Sequence, residues 1–157
     1  MKKWIILTAT VLLVIILWQA ISIYLSTISP LKDEKENAGE IVKNNTEIQT
    51  IQAVDVYNGT NVYRIVRGTN TDNEELIAWL NEEDEVVLLK KEVDGIKKEE
   101  VLQYLDTNRT PKTIISISLA MEKNIPLWEI KFTDDNDRYH FYYIKFSDGE
   151  FFQRISF

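Results

Sequence analysis

The chain contains no cysteine and a single histidine, His140. The first absence excludes disulfides, thiolate metal sites, iron–sulfur clusters and cysteine nucleophiles. The second removes the histidine-rich sets on which most transition-metal and acid–base sites are built. Proline occurs three times and glycine five, the glycines are scattered, and no Gly-x-Gly-x-x-Gly, phosphate-loop or Gly-x-Ser-x-Gly pattern occurs. Basic residues are in deficit, with 18 Lys and Arg against 25 Asp and Glu for a net charge of −7. Two of those bases, Lys2 and Lys3, precede an apolar run, so the remainder is more acidic still. Such a surface repels phosphate backbones, and nucleic acid is not expected as a partner.

What the sequence does hold is one long apolar run. Residues Trp4 to Leu25 read WIILTATVLLVIILWQAISIYL without a charge. As a helix rising about 1.5 Å per residue the run would extend about 33 Å, enough to cross a hydrocarbon core of about 30 Å. Trp4 and Tyr24 stand near its ends, where amphipathic rings settle at the interfaces. A cleaved signal peptide would have a shorter apolar region and a small-x-small exit, and Ile21 to Ser26 offers only weak matches. The run is therefore read as an uncleaved single-pass membrane anchor. Lysines flank it almost evenly, Lys2 and Lys3 before and Lys32 and Lys35 after. The short stub ahead of the run decides the orientation: N-terminus cytoplasmic, residues 30–157 extracytoplasmic.

Beyond Pro30 the chain reads as one unit written twice. Leu31 to about Glu47 has helical spacing, and four strand-like runs follow over residues 50–57, 61–69, 74–80 and 85–91. Asn58-Gly59 is a hairpin signal, because a tight primed turn needs positive φ. After Asp94-Gly95 the pattern restarts with a helix over residues 96–107 and runs over 111–122, 126–134, 138–146 and 150–157. Val62-Tyr63-Arg64-Ile65 lines up with Leu127-Trp128-Glu129-Ile130. Trp128, Ile130 and Phe132 share one face with Glu129 and Lys131 opposite, and Ile115, Ile117, Leu119 and Met121 form a second apolar row. Each such sheet needs a cover, which the helix opening its unit can supply. The predicted class is α+β: an N-terminal transmembrane helix, then two tandem units of one helix and four antiparallel strands. The expected boundaries are 1–29 for stub and anchor, 30–93 for the first domain and 94–157 for the second.

Candidate chemistry is sparse. His140 lies mid-strand and is expected to bond a neighbour. Asp134-Asp135-Asn136-Asp137 lacks the glycine and the distant glutamate of an EF-hand loop and reads as an acidic hairpin tip. Glu74-Glu75 lies on a strand, where neighbours face opposite ways and cannot flank one glycosidic bond. No catalytic, metal or cofactor residue is assigned, and no small-molecule substrate is evident. Aromatic residues remain, with Tyr139, Phe141 and Tyr143 on one strand face and Tyr142 on the other. Trp79, Tyr139, Tyr142 and Tyr143 are read either as sheet core or as a partner-binding surface, where such residues are enriched.

The segment PLWEIKFTDDNDRYHFYYIKFSDGEFF (126–152) resembles the strand–turn–strand signature of PepSY domains. With the N-terminal run and the segment VYRIVRGT to IAWL (62–80), the whole chain resembles the TseB-like cell-wall elongation regulators of Gram-positive bacteria. The resemblance implies two small cystatin-like α+β domains facing the cell wall on a membrane anchor. It also implies a non-enzymatic role in regulating elongation by binding a penicillin-binding protein. The PepSY likeness carries an alternative, an inhibitor or folding helper of a secreted peptidase, and hydrolysis of wall material is a distant third. Two positions depart from the pattern: Lys145, where aspartate is frequent, and Asn81, where proline is expected.

Overall fold

The computed structural model describes residues 2–109 and 111–157; in the first helix, side chains are described for residues 10–23 and from 34 onward. The chain divides into two compact units, Met1–Asn37 and Ala38–Phe157. Helix α1 runs from Lys2 to Asn45. The expected span, Trp4 to Leu25, lies partly outside the described side chains, and among the described residues no helix is long and apolar enough to cross a membrane.

The second unit is α+β. Strands β1 (Thr50–Asn58), β2 (Val62–Thr69), β3 (Glu75–Leu80) and β4 (Val86–Lys91) form one antiparallel sheet in chain order. Helix α2 (Lys98–Asn108) then precedes β5 (Thr113–Glu122), β6 (Ile125–Thr133), β7 (Tyr139–Lys145) and β8 (Phe151–Ser156), which form a second sheet in the same order. Each sheet is preceded by a helix, as the repeated pattern predicts. Even the irregularities recur, with bulges between Ile51 and Ala53 and between Ile114 and Ser116 on the opening strands. Equivalent bulges lie between Trp79 and Leu80 and between Tyr143 and Ile144.

The internal alignment read from sequence is one residue out. Val54 pairs with Val66 in the first sheet where Ile117 pairs with Ile130 in the second, so Val66, not Ile65, corresponds to Ile130. A slip of one residue in a strand swaps its faces. With the register corrected, Val66 and Ile130 both lie on the helix-covered side. Ile115 leaves its predicted row as well: it is the bulged residue and half-exposed, and Ile114 takes the place opposite Phe132.

Two cores follow from this register. Ala38 and Val42 of α1, with Ile48, cover Val66, Leu76, Ala78 and Leu80 of the first sheet. The other face of that sheet, with Tyr57, Tyr63, Ile65, Ile77 and Trp79, joins Val101 and Leu105 of α2 and the second sheet in one larger core. β1 and β2 contact β5 across this junction. Trp79 donates its indole N–H to the Ala120 carbonyl (3.3 Å) and meets Phe146 edge-on at 6.0 Å, and Phe146 lies 6.5 Å from Trp128. A buried indole needs a partner for its N–H, and the Ala120 carbonyl meets that need across the two sheets. The halves therefore share a core.

Candidate functional site

An open groove of about 470 Å³ lies where the two sheets meet. One wall is the β1–β2 tip, Asn58 to Thr60; the floor comes from alternate residues of β6, β7 and β8, among them Glu129, Lys131, Phe141, Tyr143 and Ile155. Asn58-Gly59 is not the primed turn its sequence suggests. The β5–β6 hairpin is the one with positive φ at both central residues, 52° at Lys123 and 62° at Asn124. Gly59 serves another purpose: a β-carbon there would run into the Glu122 carboxylate and the Tyr57 ring. Its lack of a side chain lets the two hairpin tips approach.

That approach is fixed by hydrogen bonds. Glu122 Oε1 accepts from the Tyr57 hydroxyl at 2.9 Å and from the Thr60 backbone N–H at 2.8 Å. Burial works against the charge on Glu122, but the bonds from Thr60 and Tyr57 and the charge of Lys123 together hold its carboxyl below the usual range. Burial, and next the Glu122 bond, push the Tyr57 phenol far above its ordinary value. A parallel pair forms the floor. Tyr143 donates to the buried Glu129 at 2.9 Å, whose other oxygen meets Lys131 Nζ at 2.8 Å. Burial and then Glu129 raise the Tyr143 phenol as well. Lys131 lies over the Phe141 ring at 5.2 Å. Both phenols are held protonated as donors, an arrangement suited to binding polar and aromatic groups and unsuited to a phenolate nucleophile.

The aromatic residues singled out from sequence separate. Trp79 and Tyr142 are fully buried and present no side chain to a partner: Trp79 sits in the shared core, and Tyr142 bonds Tyr104 and Arg109 beneath α2. Tyr143 lines the groove, and Tyr139 is exposed. Tyr57, Glu122, Glu129 and Lys131 were not singled out. A signal for two of them exists in the strand pattern, because Glu129 and Lys131 pair with Tyr143 and Phe141 on one face. His140 bonds Ser156 Oγ (2.8 Å) and Asp134 Oδ2 (3.0 Å), and the Asp134 turn is closed on its own Asn136 and Arg138. Among the described residues no group of three or more acids or histidines is placed to hold a metal. Lys145 is paired with Glu150, and Asn81 caps the β3–β4 turn by accepting from the Glu85 N–H.

Residues 37–81 match the family described as the cell wall elongation regulator TseB-like domain. That stretch of the chain is similar to a TseB-like domain. The TseB-like stretch runs from the end of α1 through β3 and supplies the Tyr57–Thr60 wall of the groove. A curated relative, "Probable cell wall elongation regulator TseB" of Bacillus subtilis (strain 168), is 25% identical over 158 residues, 99% of this chain and 98% of its own. The solved structure titled "YpmB protein from Bacillus subtilis" matches with a TM-score of 0.72 at 24% identity, over 77% of this chain and 95% of that one. The latter shows that the fold is shared.

Proposed function

We propose that this protein is a membrane-anchored, non-enzymatic regulator of cell-wall elongation that works by binding a penicillin-binding protein on the outer side of the membrane. The observation that carries the reading is the TseB-like match over residues 37–81, together with likeness to the named regulator along nearly the whole chain. The side chains support the anchor. Val11 to Leu17, with Trp18, Ile21 and Ile23, are apolar and 50–72% exposed. A helix surface of that kind is stable only against lipid or another apolar surface. The groove supports a binding role, since its polar groups are arranged as donors and acceptors around aromatic walls. Confinement to one membrane raises the effective concentration of two partners, so a modest interface is sufficient.

The test is photocrosslinking in living cells from Lys131 and Tyr139 of the full chain, with a fluorescent penicillin to mark what is caught. The expected result is a crosslinked band that takes the penicillin label, together with altered cell length when the chain is deleted. Unlabelled adducts alone and unchanged cells would overturn the reading.

A further inference from the structure

We propose that β8 is a docking edge to which an extended, acidic segment of a partner protein adds as a further strand of the second sheet. This deepens the binding role proposed above and rests on it. β8 is the outer strand of its sheet. Its pairing with β7 fixes which backbone groups are free. Tyr139 and Phe157 exchange both backbone bonds, at 3.2 and 3.0 Å. Such pairs alternate along an antiparallel ladder, so Ile155 and Gln153, opposite Phe141 and Tyr143, turn inward, while Arg154 and Ser156 turn their N–H and C=O groups to the open side.

An open edge is a template for strand addition, and proteins commonly blunt it with charge. β4, the outer strand of the first sheet, follows that habit by ending on Lys90 and Lys91. β8 does not: Phe151, Ile155 and Phe157 along it are 49, 38 and 77% exposed. Ile155 and Phe157 also line the groove, so one face of an added strand would lie along its rim.

The charge pattern selects the occupant. In a chain with 25 acids, the segment from Phe151 to Phe157 has none, and its one cation, Arg154, forms no ion pair among the described residues. An incoming acid opposite Arg154 would supply that pair. Its neighbours, pointing to the other face, would be apolar beside Ile155 and Phe157. A second copy of this chain fits less well, since self-pairing centred on Arg154 would oppose two arginines. Main-chain bonds would give the affinity and alternate side chains the specificity.

The probe is the blocked peptide acetyl-Ser-Thr-Val-Glu-Val-Thr-Ser-amide, titrated against the full chain in detergent micelles. It is compared with a Glu-to-Lys analogue and with one N-methylated at alternate amides. The expected result is slowed amide exchange at Arg154 and Ser156, several-fold weaker binding of the Lys peptide, and no binding of the N-methylated one. Arg154→Glu should reverse the preference and favour the Lys peptide, a gain that misfolding cannot produce. Unprotected edge amides, equal binding of the N-methylated peptide, or self-association through β8 without peptide would each overturn the proposal. If these occur while a penicillin-labelled adduct still forms in cells, the docking mode falls and the regulatory reading stands.

Discussion

The hydroxyl of Tyr57, at the end of β1, donates to Oε1 of Glu122, at the end of β5, across 2.9 Å. This one bond ties the hairpin tip of the first sheet to that of the second. Its two ends are protonated in complementary ways. The phenol is held neutral, chiefly by burial, and the carboxyl is held ionised against burial by the donors around it. A neutral donor facing an ionised acceptor is the stronger kind of hydrogen bond.

Replacing Tyr57 with Phe should therefore cost about 1–2 kcal/mol in denaturant unfolding at neutral pH. The pH dependence follows from the direction of the shift. A phenol whose folded value is raised contributes stability that is complete below its ordinary value near about 10 and is lost as the pH climbs above it. The gap between wild type and Tyr57→Phe should narrow on going to strongly alkaline solution. A gap that stays constant there would mean that the hydroxyl is not held neutral by folding.

Trp79→Ala tests whether the two repeats are one cooperative body. The indole is fully buried and touches both halves, through Ala120 and Phe146. Truncating a buried Trp costs about 3–5 kcal/mol. Because the cavity opens in a shared core, β2 and β6 should lose protection together in native-state hydrogen exchange. Loss confined to the first sheet would show two independently stable domains.

The eight strands, their order and the helix before each sheet were legible because period-two alternation and turn residues are local signals. The repeat alignment was legible only to within one residue. Bulges near Ile51 and Ile114 change the count along a strand without altering its pattern, and one residue is enough to exchange the faces. The same limit explains the aromatic residues. Alternation places Tyr142 and Tyr143 on opposite faces but cannot tell which face meets α2 and which the groove. Tyr57 and Glu122 were invisible for a different reason: their meeting depends on contact between the two sheets, and no local period encodes that. The Asn58-Gly59 pair was misread because glycine there supplies space, not positive φ.

Asp134 gives a prediction at the acid end. The His140 bond first, then Arg138 and the backbone of the turn, hold its carboxyl well below the usual carboxylate range. A depressed carboxylate contributes stability that is complete above its ordinary value of about 3.9 and disappears as the pH falls through the folded value. Asp134→Asn should thus be less stable than wild type at pH about 6, and the gap should begin to close only below pH about 3.9 and keep closing as the pH falls towards the depressed folded value. Thermal unfolding across that range reads the difference directly. Parallel curves at every pH would place the stabilising charge elsewhere.

Gly68 and Phe132 occupy equivalent places in the two sheets, one after Arg67 on β2 and the other after Lys131 on β6. The first sheet has no room there: a β-carbon on Gly68 would run into the Thr50 carbonyl and the Ile48 side chain. The second sheet fills the place with a buried phenyl ring stacked on His140 at 4.9 Å. Removing mass from one and adding it to the other should both be harmful, for opposite reasons. Gly68→Ala should cost about 1–3 kcal/mol through overpacking, and Phe132→Ala about 3–5 kcal/mol through an unfilled cavity. The two can be told apart by a second change. Trimming Ile48 to Ala, which removes the Cγ2 that a β-carbon on Gly68 would meet, should recover little of the Gly68→Ala cost in a double-mutant cycle, because the nearer obstructing atom is the Thr50 main-chain oxygen. A full recovery would show that the close approach at Gly68 is set by side-chain packing, and that β1 can shift where the register with β2 now holds it.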